Sequence, residues 1–141
     1  KNTDLLLYMA ARSENIDLIN HSYKKKVILI DRFTDSTIAY QHYGMGINIS
    51  LIKTLNKYLL KNIKVDFTFL NIVNKKNLYT RLKKRNSLNR YDRFNMSFYN
   101  KVQNGFIKLS KLKKNKYKLI NSNLDIRNNE KLILNIIDKL I

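Results

Sequence analysis

Apolar residues recur along the chain at two spacings, and these spacings predict helices that alternate with short strands. Helices are predicted at 3–21, 35–42, 48–60, 75–84, 94–114 and 125–140, and in 48–60, 94–114 and 125–140 the apolar residues fall on one helical face. Short apolar runs predict strands at 26–30, 66–72 and 117–120. The run at 26–30 is wholly apolar after its lysine, which is typical of a strand buried on both faces of a parallel sheet. The alternation favours an α/β fold with a parallel sheet.

Polar residues and glycines predict where several helices begin and end. Asn2 or Thr3 is the expected N-cap of the first helix, and Asn48 is the expected N-cap of the third. The stretch Gly44-Met45-Gly46 should end the second helix. The polar, basic range 86–93 predicts a mobile loop.

Composition places the chain among globular proteins. With 141 residues and 44% hydrophobic content, residues 1–141 are expected to form a single domain. The chain has no cysteine, and its two histidines are isolated, so no metal site is predicted. No apolar run is long enough for a membrane span and no signal peptide is evident, so we expect a cytoplasmic protein without a membrane partner.

The formal net charge is +18, which allows two interpretations. A strongly basic chain can be a nucleic-acid-binding domain without enzymatic activity. The lysine clusters at 24–26, 75–76, 83–84 and 113–116 are scattered between elements, however, which is typical of a generally solvated basic surface. We therefore expect no nucleic-acid partner, and keep a basic nucleic-acid-binding domain as the alternative function.

The first candidate site follows the predicted strand at 26–30. Ligands of open α/β sheets bind beyond the carboxyl ends of strands, and an arginine there can hold a phosphate through two parallel hydrogen bonds. Polar side chains on the next helix could then contact a sugar and a base. A plain core aromatic remains an alternative for the tyrosine, and a helix cap for the serine. The residues are Asp31, Arg32, Ser36, Thr37, Tyr40 and Gln41.

A second pair lies on the first predicted helix. Tyr8 and Arg12 are four residues apart, which directs both side chains towards one ligand. The alternative is a tyrosine on a half-buried face and an arginine in a surface salt bridge.

A third motif combines a basic segment with an aromatic one. The segment runs from Arg81 to Arg85 and on through Arg90-Tyr91-Asp92-Arg93-Phe94. A run of lysines and arginines can also be a solvated face, which stays the alternative for each of them.

In this order, the motifs resemble those of bacterial thymidylate kinases, which phosphorylate dTMP with ATP. The resemblance implies a P-loop nucleoside monophosphate kinase fold, in three layers around a parallel sheet, and an activity that makes dTDP for DNA precursor synthesis. It also implies Mg²⁺ as cofactor, ATP as phosphoryl donor and a homodimer. The dTMP-binding residues it implies are Tyr8, Arg12, Arg32, Ser36, Thr37, Tyr40 and Gln41.

Within that resemblance, residues 85–93 correspond to the lid loop. Arginines and Mg²⁺ stabilise the transferring phosphoryl group in such enzymes. The implied lid and ATP-binding residues are Arg81, Arg85, Arg90 and Arg93, and the implied catalytic residues are Arg32, Arg85, Arg90 and Arg93. Asn95 stands where relatives have a glutamate, which weakens a carboxylate contact to Mg²⁺ there.

The resemblance covers only the C-terminal two-thirds of the family, because the sequence has no G-x-x-x-x-G-K-[ST] loop. We therefore expect a fragment with an incomplete sheet, in which three of about five strands are present and the central first strand is absent. We also expect no kinase activity from these residues alone. These residues alone are expected to be unstable, or to rearrange so that 26–30 and 66–72 pair directly, or to be completed by another chain. A gap one strand wide between the two segments would show the unfilled position.

Overall fold

Helices dominate the computed structural model, which describes residues 1–87 and 91–141, and for Asp92 the backbone alone. Two parallel strands, β1 (Thr68–Ile72) and β2 (Tyr117–Asn121), form its sheet. The α-helices are α1 (Asn2–Ser22), α2 (Thr34–Thr37), α3 (Ile49–Leu60), α4 (Lys75–Lys83), α5 (Met96–Leu112) and α6 (Ile126–Ile137). A π-helix continues α2 over Ile38–Gly44, and single 3₁₀ turns occupy Tyr91–Arg93 and Lys114–Lys116.

Side-chain caps fix the start of four helices, α3, α4, α5 and α6. The Asn48 Oδ1 accepts from the Ser50 amide at 2.8 Å, which confirms the predicted cap of α3. Asn95 accepts from the Phe98 amide at 3.0 Å, so α5 begins at Met96 and not at Phe94 as expected. For α1 the cap prediction is wrong, because the helix already includes Asn2 and its N-cap is Lys1.

The prediction of a strand at 26–30 is wrong. Residues 27–30 form no strand, and Val27 and Leu29 are 60% and 80% exposed. Among the described residues β1 pairs only with β2, in a register that sets Thr68 opposite Tyr117. A strand needs a hydrogen-bonding neighbour, and the run at 26–30 has none, so its apolar side chains are not covered.

An open cavity of about 1130 Å³ is lined by residues of that run and of β1. Val27, Leu29 and Ile30 are among its lining residues, and so are Phe67 and Phe69. The two segments therefore face one space without pairing. This is the gap that an incomplete sheet predicts, and it rules out the direct pairing of the two segments in this structure.

Two apolar clusters hold the helices together. One joins α1 and α3 to the C-terminal half of α5 and contains Leu5, Met9, Ile38, Ile47, Ile52 and Leu109. The other packs the π-helix against α5 and contains Ala39, Met45, Phe98 and Val102. A Cβ built at Gly44 would lie 2.6 Å from the Phe98 ring, so this glycine permits the close approach at the end of the π-helix.

Three further predictions concern the basic loop, membrane spans and the number of domains. The described part of the basic loop is a turn around residues 84–87 and the 3₁₀ turn Tyr91–Arg93, while residues 88–90 lie outside the described residues. No helix formed by the described residues is long and apolar enough to cross a membrane. A single domain over 1–141 stays a prediction.

Candidate functional site

The segment that opens the site is strained at Arg32. Its φ is +64°, in the left-handed region that costs a residue with a side chain roughly 1–2 kcal/mol. Such conformations cluster at functional sites. The Arg32 guanidinium lies 4.5 Å from the centroid of the Tyr40 ring, and its Nε donates to the Ser36 Oγ at 3.5 Å. The arginine is exposed, so its charge is held along the helix yet remains accessible.

Arg12, by contrast, is buried and bonded to protein groups. Its Nη1 donates to the Asn56 Oδ1 at 2.7 Å, and its Nη2 donates to the Thr37 Oγ1 at 2.7 Å. Longer contacts join it to the Met9 sulfur and the Phe33 carbonyl, both at 3.4 Å. All four partners are neutral, and burial lowers the pKa of Arg12. The guanidinium therefore connects α1, α2 and α3.

Thr37 and Gln41 occupy buried positions where α2 gives way to the π-helix. Gln41 is 1% exposed, and its Nε2 donates to the Tyr91 hydroxyl at 3.3 Å. Wide π-turns are frequent at functional sites. Here the π-turn lies at the segment that carries Ala39-Tyr40-Gln41.

Aromatic rings gather around Tyr40. Its ring makes edge contacts with those of Tyr91, Phe98 and Phe106 at centroid distances of 5.5, 6.0 and 6.3 Å. Tyr8 is 44% exposed, and its hydroxyl shares a hydrogen bond with that of Tyr91. Tyr40 is therefore both packed against α5 and stacked under the Arg32 charge.

The structure thus brings the first two motifs together. Arg12 contacts Thr37, Arg32 contacts Tyr40, and Tyr8 meets Gln41 through Tyr91. All of these contacts surround the helix that runs from Thr34 to Gly44. Asp31 is exposed and borders the large cavity next to Arg32.

Arg81 of the third motif bonds to a different part of the chain. The Arg81 Nη2 donates to the Ser122 carbonyl at 2.6 Å, which holds α4 to the segment after β2. Arg85 and Arg93 are exposed. Arg90 lies outside the described residues. The described contacts do not join Arg81 to Arg32.

Sequence analysis missed several residues that support the site. Asn56 pairs with Arg12 although it lies on the apolar face of α3, four residues after Ile52; a polar residue at that position was the available signal. Asp35 binds the Tyr117 hydroxyl and forms an ion pair with Lys113 at 3.4 Å. Burial first, and then Asp35, raise the pKa of Tyr117. These contacts attach α2 to the start of β2.

Carboxylates and histidines are sparse around the site. The described residues hold no group of three or more histidine, cysteine or acidic side chains that could bind a metal ion. Mg²⁺ bound together with a nucleotide needs only one or two carboxylates besides phosphate oxygens and water. The exposed Asp31 carboxylate, beside Arg32, fits that smaller requirement.

The sequence of this chain is similar to those of known thymidylate kinases. A sequence profile described as "Thymidylate kinase" matches residues 1–133. The chain is 36% identical over 113 residues to a thymidylate kinase of Trichodesmium erythraeum, covering 79% of this chain and 50% of that protein. It is 34% identical over 140 residues to one from the Wolbachia of Brugia malayi, covering 98% of this chain and 66% of that protein.

A solved structure gives the same result. The crystal structure of thymidylate kinase from Ehrlichia chaffeensis superposes with a TM-score of 0.73 at 30% identity, covering 96% of this chain and 64% of that one. The chain therefore spans between half and two thirds of the length of the relatives cited.

Proposed function

Because this chain belongs to the thymidylate kinase family, we propose that it forms the acceptor-nucleotide side of an enzyme that transfers a phosphoryl group from ATP to dTMP, giving dTDP. The observation that carries the proposal is the convergence of two separate motifs on the helix Thr34–Gly44. Arg12 reaches Thr37, and Arg32 lies over Tyr40.

Arg32 is the proposed phosphate-binding residue, and we count it among the catalytic ones. It is exposed, its charge faces no carboxylate in its described contacts, and its planar fork can bond two phosphate oxygens at once. Ser36 already accepts from its Nε and orients the fork. In phosphoryl transfer, positioning and charge stabilisation of this kind supply most of the catalysis.

The remaining residues of the site would bind the nucleoside. Tyr8 offers an accessible ring for stacking on the base, and Thr37 and Gln41 offer polar groups for its edge. Tyr40 would lie beside the sugar. Arg12 has both Nη atoms bonded to protein groups, so its Nε–H is the donor that we assign to the thymine oxygen.

The lid arginines would act on the donor side. The proposed ATP-binding residues are Arg81, Arg85, Arg90 and Arg93. Of these, Arg85, Arg90 and Arg93 are also proposed as catalytic. Their charges would stabilise the transferring phosphoryl group. Mg²⁺ would supply charge neutralisation on the phosphates, with Asp31 as the protein carboxylate beside it.

The 141 residues alone should bind dTMP weakly and show no measurable kinase activity. The sequence has no Gly-rich loop with a following Lys-Ser or Lys-Thr to hold the donor phosphates. We place the protein in the cytoplasm. We also propose a homodimer, with the exposed Leu7 and Leu18 on one face of α1 as candidate contacts; light scattering would measure its mass.

Titration calorimetry tests the acceptor assignment. We expect the chain to bind dTMP more tightly than AMP, and Arg32→Ala to weaken dTMP binding by roughly 10- to 100-fold, the value of hydrogen bonds to a charged group. Arg127→Ala, which removes an exposed arginine of α6, is the matched control and should leave binding unchanged.

Equal binding by Arg32→Ala and the unchanged chain would overturn the phosphate assignment. Binding to arbitrary nucleic acid with a steep salt dependence, and none to dTMP, would favour the basic nucleic-acid-binding domain instead.

A further inference from the structure

Tyr91 lies between the two side chains that are proposed to contact the base. Its hydroxyl is 3.3 Å from the Gln41 Nε2, and the same hydroxyl shares a hydrogen bond with Tyr8. Neither the phosphate site nor the lid arginines require this tyrosine. Its position nevertheless lets one phenol act on both Gln41 and Tyr8.

The Tyr91 side chain is held in place from several directions. Its ring meets the Tyr40 ring edge-on at 5.5 Å and the Phe94 ring at 5.8 Å. Its backbone carbonyl accepts from the Tyr99 hydroxyl at 2.9 Å, which ties it to α5. A phenol fixed by its ring and by its backbone can orient a flexible amide.

The direction of each hydrogen bond follows from the chemistry of the three groups. Burial, and then the Tyr8 hydroxyl, raise the pKa of Tyr91, whereas Gln41 lowers it. The Gln41 Nε2 donates to the Tyr91 hydroxyl oxygen at 3.3 Å. A phenol carries a single proton, so the proton of Tyr91 is available for the hydrogen bond with Tyr8. Gln41 therefore donates to Tyr91 and Tyr91 donates to Tyr8, a sequence of donors that we call the proton order.

We propose that Tyr91 is a positioning residue for base selection, because its hydroxyl holds the Gln41 amide with nitrogen inward and oxygen towards the base. The inference rests on the proposed binding of a pyrimidine monophosphate. A carbonyl oxygen accepts from the imide N–H of thymine or uracil. At the same ring position cytosine has an acceptor, so this orientation rejects it. With Tyr91 removed, the amide can rotate and present its NH₂ instead.

The test measures the affinities of dTMP and dCMP for the protein as its gene encodes it, by titration calorimetry. Tyr91→Phe keeps the ring and removes the hydroxyl. We expect its preference for dTMP over dCMP to fall by about tenfold, the value of one hydrogen bond. Tyr58→Phe, on the exposed side of α3, is the matched control and should keep the full preference.

Each outcome decides a different point. Should the unchanged protein bind neither nucleotide, the proposed function fails. Should it prefer dTMP while folded Tyr91→Phe keeps the same preference, the positioning role fails. A uniform loss for both nucleotides would indicate a merely structural residue and would also overturn it.

A second variant covers the case in which Tyr91→Phe does not fold. Tyr8→Phe changes a partly exposed residue and leaves the Tyr91 proton free to turn towards Gln41. We expect the preference for dTMP to fall by about threefold. An unchanged preference in Tyr8→Phe would contradict the proton order.

Discussion

Replacing Arg12 by methionine should destabilise the fold strongly, because one buried guanidinium joins three helices. The residue is 8% exposed, and its two bonds of 2.7 Å reach Asn56 on α3 and Thr37 on α2. Each hydrogen bond to a charged donor contributes about 1.5–3 kcal/mol. Relief of the desolvation that lowers the Arg12 pKa offsets part of that sum. We expect a net loss of about 3 kcal/mol, because removing the guanidinium also leaves the buried Asn56 and Thr37 oxygens without their donor.

Urea unfolding followed by circular dichroism measures this loss. Arg12→Lys should lose nearly as much, since an ammonium does not reproduce the guanidinium fork that bonds Asn56 and Thr37. Arg127→Met is the control and should change stability by less than about 0.5 kcal/mol. A double-mutant cycle with Asn56→Ala should show a coupling above about 1 kcal/mol. A loss below about 1 kcal/mol for Arg12→Met would refute the reasoning, because it would mean that neither 2.7 Å bond is significant for stability.

Three further predictions concern packing, backbone and pH. Gly105→Ala should destabilise by about 1–3 kcal/mol in urea titrations, because its Cβ would lie 2.5–2.8 Å from three atoms of Tyr43; an unchanged midpoint would contradict this. Gly46→Ala should cost only about 1–2 kcal/mol, since nothing lies within 4 Å but φ is +77°. Stability should fall above about pH 10, because the unfolded chain then loses a tyrosine proton that folded Tyr117, with its raised pKa, retains. Tyr117→Phe should reduce this alkaline loss, and a steeper loss in that variant would reverse the sign of the argument.

Local patterns predicted the helices well because their signals lie within a few residues. The apolar face of α3 and the Asn48 cap are both visible in sequence, and both occur in the structure. The strand at 26–30 failed for a physical reason. Its apolar run is a local property, but a strand requires a partner that is distant in sequence.

Which side chains of the candidate site lie near one another was partly predictable from the sequence, and their distant partners were not; their binding of a nucleotide stays a prediction. Tyr8 and Arg12 share a helical face, so their convergence follows from spacing alone. Asn56 and Tyr91 are 44 and 50 residues away from their respective partners, Arg12 and Gln41. No periodicity reports contacts at that separation. The left-handed backbone at Arg32 was equally invisible, since nothing in its residue type demands it.

Burial gives Arg12 and Arg32 different roles. Arg12 is enclosed by neutral acceptors that occupy its Nη donors, so it links α1, α2 and α3. Arg32 has an exposed guanidinium that rests on the Tyr40 ring, so its hydrogen-bonding capacity is not used up. A phosphate dianion would gain most from the second arginine, because no protein hydrogen bond of comparable strength has to break first. The same comparison predicts that Arg12 variants fail mainly in folding and Arg32 variants mainly in binding.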